Sequence, residues 1–204
     1  MTTSNFKKSK QTRKANIRRA IFVGSLVTIL IPLSGYAQTA PDSSTIKSKS
    51  FNKNKTEIMD EKDFTTTILV DQSPKEVFNA INNVRGWWQG EIKGSTNKLN
   101  EEFTYQMKEF HLTKQKIVEF VPGKKVVWQV TESKINFVAD KEEWLNSKII
   151  FDITTEGKKT KLTFTHHGLI PKIECYRDCS GAWDNLIEKS LFSLITAGKG
   201  VDVF

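Results

Sequence analysis

One amphipathic stretch limits the possible folds more than any other feature of the sequence, because another element has to cover its apolar face. Apolar residues recur at helical spacing from about Ser180 to Thr196, and Gly198 stops the pattern. The segments before it have the period of two that is typical of strands with one buried face. Both faces are buried if the helix lies across the sheet, which predicts an α+β fold in one domain. The face of the helix comprises Trp183, Leu186, Ile187, Ser190, Leu191, Leu194 and Ile195.

Alternation predicts six strands and, with them, a curved antiparallel sheet. Pro122-Gly123 and Glu156-Gly157 are typical turn pairs. A short helix is predicted after the first strand, because Ser73-Pro74-Lys75-Glu76 combines an N-cap hydroxyl, an initial proline and a glutamate that can reach back to the cap. The alternating residues are Phe64, Thr66, Ile68 and Val70; Phe103, Tyr105 and Met107; the run from His111 to Val121; Val126, Trp128 and Val130; Ile149, Phe151 and Ile153; and Leu162, Phe164 and His166.

Residues 1–37 have the order of a secretory signal peptide. Seven Lys and Arg residues with no acidic residue accompany an apolar run from Ala20 to Leu33, and small residues then favour cleavage after Ala37. The alternative is a membrane anchor, but the run contains Pro32 and is shorter than the roughly 18 apolar residues that span a bilayer. We therefore expect export to the periplasm or the medium, with no stable membrane anchor after cleavage.

The net charge of +8 does not indicate a nucleic-acid-binding protein, because seven of its cations lie in residues 1–37 and the remainder carries only +1. A net charge this small gives no sequence-independent electrostatic affinity for a phosphate backbone. Residues 38–63 are rich in Ser, Thr, Lys, Asn and acidic residues, which is typical of a flexible polar linker. The folded domain is therefore expected over residues 64–204.

Several segments of the second half carry a family resemblance, and those between Thr165 and Gly200 are the most specific. They are Val126-Val127-Trp128, Ser133-Lys134-Ile135-Asn136-Phe137, Asp140-Lys141, Glu143-Trp144, Thr165-His166-His167-Gly168-Leu169-Ile170-Pro171, Glu174-Cys175-Tyr176, Cys179, Ala182-Trp183, Ser190-Leu191 and Ile195-Thr196-Ala197-Gly198-Lys199-Gly200. On these residues the chain resembles the homologues of the activator of heat-shock-protein-90 ATPase, within the START-like superfamily called SRPBCC. The resemblance covers about residues 64–200.

The resemblance implies a helix-grip fold of the START/Bet v type, in agreement with the periodicity. Members of the superfamily generally hold hydrophobic ligands between the curved sheet and the long helix, and some have become enzymes. The eukaryotic namesake stimulates a cytosolic chaperone. That role does not fit an exported chain, because the cytosolic ATPase and its ATP are absent outside the inner membrane.

His166 is in phase with Leu162 and Phe164, so it is expected on the concave side of the sheet, with His167 on the other side. Either a backbone carbonyl satisfies His166, or the imidazole anchors the head group of a ligand. Acid or base catalysis is a third option, although the sequence places no Asp or Ser to complete a catalytic set. No phosphate-binding glycine loop or nucleophile elbow is found, so neither a cofactor nor an enzymatic activity is predicted.

Cys175 and Cys179 are the only cysteines, and an exported chain permits a disulfide between them. The alternatives are buried thiols and a zinc site that also uses His166 and Glu174. That spacing matches no strong zinc pattern, so no metal site is predicted.

The sequence therefore favours a noncatalytic binding protein that takes a small apolar ligand between sheet and helix. A protein-interaction or chaperone-assisting module of the cell envelope is the second hypothesis. Because Trp87 and Trp88 are adjacent, one of them is expected at a pocket mouth, and the alternative is that both plug the open end of the fold. The predicted ligand-binding residues are Trp87, Trp88, Phe103, Tyr105, Trp128, Phe151, Phe164, His166, Trp183 and Ile187.

Overall fold

The computed structural model describes residues 61–204. The predicted signal peptide, residues 1–37, and all but the last three residues of the predicted linker, residues 38–63, lie outside the described residues. Within residues 61–204 no helix combines the length and the apolar character that a membrane crossing requires.

One antiparallel sheet of seven strands forms a layer of the fold. Its strands are β1 (Phe64–Val70), β2 (Glu91–Gly94), β3 (Glu102–Met107), β4 (His111–Val121), β5 (Lys125–Ile135), β6 (Lys148–Glu156) and β7 (Lys159–His167). Their spatial order is β1-β7-β6-β5-β4-β3-β2, so the first strand of the described chain closes one edge by pairing with the last. Register shifts between β4 and β5 mark bulges, which bend a sheet.

The predicted α+β helix-grip fold is confirmed, and all six predicted strands are present. Alternate residues of β1 and of β7 are buried, as the period of two requires. A seventh strand, β2, was not predicted; it is only four residues long and buries a single side chain, Ile92. So short an edge strand has no visible period.

The first helix, α1 (Pro74–Asn82), begins where the sequence predicts. The hydroxyl oxygen of Ser73 accepts from the backbone N–H of Glu76 at 3.3 Å, and the Glu76 carboxylate accepts from the Ser73 N–H at 2.7 Å. These reciprocal bonds satisfy two N–H groups that a helix start leaves open. The helix buries Val77, Phe78 and Ile81.

The terminal helix, residues 176–197, is longer than the predicted Ser180 to Thr196. It consists of α2 (Tyr176–Asn185), a π-helical segment (Leu186–Leu191) and α3 (Phe192–Ala197). Its start was misplaced because the cap comes from a distant loop: the Glu143 carboxylate accepts from the backbone N–H groups of Glu174 and Cys175, at 2.5 and 2.9 Å.

The terminal helix packs its apolar face against the sheet, and the core lies between these two layers. In the π-helical segment Leu186, Ile187, Ser190 and Leu191 are all buried. Single π-helical turns inside α-helices are often found at functional sites. Here the first residue of the segment, Leu186, lines a cavity together with residues of α2.

Candidate ligand-binding site

A cavity of about 300 Å³ lies beside the first turns of the terminal helix. Its other walls are the β3–β4 turn and the connection between β5 and β6. The lining is mostly apolar, and half of the residues that form it are Phe, Tyr or Trp. These are Trp88, Tyr105, Phe110, Phe137, Trp144, Trp183 and Phe204.

The two adjacent tryptophans have different surroundings. Trp87 is buried in the core, where its indole N–H donates to the carbonyl of Ile81 at 3.2 Å. Trp88 lines the cavity and stacks on Tyr105 with ring centroids 4.3 Å apart. Burial raises the pKa of the Tyr105 hydroxyl to about 12, so the phenol stays protonated at physiological pH.

The loop around the tryptophans needs glycine at position 90. Gly90 has a φ of +127°, and a Cβ there would lie 2.7 Å from the Tyr105 ring. This close approach lets the loop cover the ring that Trp88 stacks on. The stacked Trp88–Tyr105 wall therefore requires a residue without a side chain at position 90.

A segment that follows the terminal helix completes the mouth of the cavity. The Gln89 side chain donates to the carbonyl of Val201 at 3.1 Å and accepts from the N–H of Val203 at 3.1 Å. These bonds tie the segment to the residue next to Trp88. These bonds place Phe204 at the cavity, although it is far in the sequence from Trp88.

His166 is fully buried and both of its ring nitrogens are engaged. Its Nδ1 accepts from the indole N–H of Trp183 at 3.0 Å, so Nε2 carries the proton and donates to the Ser147 hydroxyl, 2.9 Å away. Burial first, and repulsion from His111 second, lower the pKa of His166 to about 3. The ring is thus a neutral link between sheet, loop and helix, with side chains in place of the expected backbone carbonyl.

His167 points away from the core, as the alternation predicts. It is exposed, and its Nδ1 lies 2.7 Å from an oxygen of the Asp63 carboxylate.

Three of the ten predicted ligand-binding residues line the cavity: Trp88, Tyr105 and Trp183. The other seven are buried in the interior of the domain and do not border the cavity. The cavity lies at one end of the sheet, away from the middle of the strands, and so these seven do not reach it. They are Trp87, Phe103, Trp128, Phe151, Phe164, His166 and Ile187.

Of the eleven other lining residues, four lie on the terminal helix, two lie at strand ends, and five lie in turns, loops or the terminal segment, where no hydrophobic period exists. Large apolar side chains in these connections are the one signal that could have drawn attention to them. Phe110, Phe137 and Phe204 are 47, 46 and 61% exposed around the mouth. The lining residues not predicted are Met107, Lys108, Phe110, His111, Phe137, Trp144, Asp178, Cys179, Ala182, Leu186 and Phe204.

Both cysteines are buried free thiols, so the possible disulfide is not formed. Cys175 accepts a hydrogen bond from the indole N–H of Trp144, with N and S 3.2 Å apart. The neighbouring Cys175 thiol, and then burial, raise the pKa of Cys179 far above its ordinary value. Within residues 61–204 no group of three or more His, Cys, Asp or Glu side chains is arranged to hold a metal ion.

His111 is the one imidazole that lines the cavity. Its ring meets Tyr105 and Trp144 at nearly right angles, with centroids 5.4 and 4.5 Å apart. Its Nε2 is buried and has no hydrogen-bond partner among the described residues. Burial lowers the pKa of His111 to about 4, so the ring is neutral at physiological pH.

Comparison with known proteins agrees with this architecture. The model of the family described as Activator of Hsp90 ATPase homolog 1-like protein matches residues 71–195. The Aha1 dimer from Colwellia psychrerythraea is 21% identical, with a TM-score of 0.57 over 68% of this chain and 99% of that chain. Protein MLL2253 from Mesorhizobium loti is 13% identical, with a TM-score of 0.52 over 67% of this chain and 99% of that one.

DynU16, from the dynemicin biosynthetic locus, is 12% identical, with a TM-score of 0.51 over 68% of this chain and 48% of that chain. At these identities the solved structures establish the fold alone. A comparison with curated proteins gave no significant match.

Proposed function

Because the chain belongs to the family of Activator of Hsp90 ATPase homolog 1-like proteins, we propose that it is a noncatalytic binding protein for a small apolar ligand. Proteins of this family commonly bind small hydrophobic molecules. The observation that carries the proposal is the apolar cavity beside Trp88 and Trp183.

The size and lining of the cavity favour a compact ligand. Its volume of about 300 Å³ is at the lower end of the range of small-molecule pockets, roughly 300 to 1,000 Å³. Seven aromatic side chains offer flat faces, and few charged groups border the space. A single- or double-ring molecule fits these properties better than a long acyl chain does.

The absence of catalysis is part of the proposal and is supported by the state of His166. A general base needs a free nitrogen within reach of its substrate. In His166 one nitrogen is bonded to Trp183 and the other to Ser147, and the side chain does not border the cavity.

A variant that fills the cavity tests the binding function. Ala182 borders the cavity from the helix, so Ala182→Phe should occupy its space. The matched control is Gly181→Phe, because a Cβ at the adjacent exposed Gly181 meets nothing within 4 Å. Native mass spectrometry and extraction of the purified protein should recover an apolar small molecule from the parent chain and from G181F, and little from A182F.

Equal recovery from A182F and G181F, with both variants folded, would place the ligand elsewhere. A parent protein that retains no molecule and binds none of a panel of small aromatic compounds would refute the binding function.

The exposed phenylalanines favour a second candidate function, a protein-interaction or chaperone-assisting module of the cell envelope. Phe110, Phe137 and Phe204 form an apolar rim that is open to solvent, and such rims often mark contact sites. Replacing Phe110 and Phe137 with Ser should abolish recovery of a protein partner in a pull-down under this function. Under ligand binding alone, no partner is recovered from either protein.

Export is the third part of the proposal and rests on residues 1–37. Expression of the full chain in a bacterium with two membranes should give a periplasmic product whose first residue is Gln38. An intact product with Met1 or Thr2 first, found in the cytoplasm, would contradict it.

A further inference from the structure

The environment of His111 indicates what kind of ligand the cavity takes. The imidazole lines an otherwise apolar space, and its buried Nε2 has no hydrogen-bond partner among residues 61–204. A buried polar atom without a partner is destabilising. A ligand atom that bonds the imidazole would remove this penalty.

His166 shows how this protein treats an imidazole that serves only the structure. Its nitrogens are satisfied by Ser147 and Trp183, at 2.9 and 3.0 Å. His166 and His111 pack edge-on against the same residue, Trp144, each with centroids 4.5 Å away. Of these two histidines, the one with the unsatisfied nitrogen is the one at the cavity.

The charges around the cavity favour an uncharged ligand. Lys108 and Asp178 are the charged residues of the lining, and their formal charges cancel. Asp178 also pairs with Arg177 at 3.2 Å. A buried ionic group on a ligand would have no dedicated opposite charge and would lose its hydration.

We propose that the ligand is an uncharged aromatic molecule with one hydroxyl or carbonyl group, which hydrogen-bonds the imidazole of His111. The aromatic walls take the ring of the ligand, and His111 fixes its orientation. A neutral imidazole has one donor and one acceptor, so it can pair with either group. This inference rests on the proposed binding function and adds the chemical class of the ligand.

The test compares two probes of nearly the same shape, 4-ethylphenol and 4-ethyltoluene, which differ in a hydroxyl and a methyl group. Binding is followed by tryptophan fluorescence, because Trp88, Trp144 and Trp183 line the cavity. We expect His111→Phe to weaken binding of 4-ethylphenol about three- to tenfold, the range of one neutral hydrogen bond. Binding of 4-ethyltoluene should be unchanged or tighter.

Two further variants make the result specific to the hydrogen bond. His111→Gln keeps a polar group in the cavity and should restore part of the affinity for 4-ethylphenol. His167→Phe removes an exposed histidine outside the cavity and should alter neither affinity. Retained binding of 4-ethyltoluene by H111F shows that this variant is folded.

Equal effects of H111F on both probes, or no effect on either, would overturn the inference while leaving the binding function intact. Tighter binding of the 4-ethylbenzoate anion than of 4-ethylphenol would overturn the uncharged class. If the parent protein binds neither neutral probe and also retains no apolar molecule on purification, the binding function itself fails.

Discussion

The fully buried His166 and the half-buried His111 predict that the free energy of unfolding falls as the pH is lowered from 7 to 5. Burial lowers the pKa of His111 to about 4 and that of His166 to about 3. In the unfolded chain a histidine has a pKa of about 6.5. Below that value the unfolded state therefore binds protons that the folded state excludes, which favours unfolding.

The magnitude follows from linkage. Above pH 6.5 neither histidine lowers the free energy of unfolding. Below pH 6.5 each lowers it by about 1.4 kcal/mol per pH unit, until the pKa of the folded state is reached. At pH 5 this amounts to about 2 kcal/mol for each ring, or about 4 kcal/mol for the pair. Single domains have a total stability of about 5 to 15 kcal/mol, so the loss should be easy to measure.

The assay is urea denaturation of residues 38–204 at several pH values between 7 and 5, followed by tryptophan fluorescence. This range lies above the ordinary pKa values of Asp and Glu, so the histidines dominate the change. His111→Phe removes one of the two rings and should halve the pH dependence. The exposed-site control His167→Phe should leave the contributions of the two buried rings in place.

A free energy of unfolding that stays constant from pH 7 to pH 5 would refute the reasoning. So would an H111F variant with the same pH dependence as the parent chain, because the pKa of His111 could not then be lowered in the folded protein.

Two further substitutions test the contacts that shape the site. Ser147→Ala removes the hydroxyl that accepts from His166 Nε2. It should lower the free energy of unfolding at pH 7 by about 1 to 3 kcal/mol, the penalty for a buried unsatisfied group. A change below about 0.5 kcal/mol in urea denaturation would show that this hydrogen bond does not stabilise the fold. Gly90→Ala places a Cβ 2.7 Å from the Tyr105 ring at a φ of +127°. This should displace the Trp88–Tyr105 wall and so weaken binding of 4-ethyltoluene. Unchanged affinity in a fluorescence titration would mean that this wall does not contact the probe.

The strands and the first helix could be predicted because their signals are local. The alternation in β1 and β7 matches the observed burial, and the sequence Ser73-Pro74-Lys75-Glu76 forms the expected capping box. The start of the terminal helix could not be predicted, since its cap is the carboxylate of Glu143, more than thirty residues earlier.

The site was predicted less completely than the fold, for a physical reason. Periodicity tells which side chains face inward, but it does not tell where the packed interior ends. Phe151 and Phe164 face inward and fill the core, whereas Trp88 and Trp183 stand at its edge. Loops bring Phe137 and Trp144 to the same edge, and the sequence alone does not show this convergence.

The proposed binding function depends on an open apolar space beside Trp88 and Trp183. Apolar cavities of this kind take up xenon, so diffraction from crystals pressurised with the gas tests the space without assuming a ligand. We predict a xenon peak bordered by Trp88, Trp183 and Leu186. Density in which Phe110 or Phe204 fills this volume, with no xenon bound there, would contradict the account.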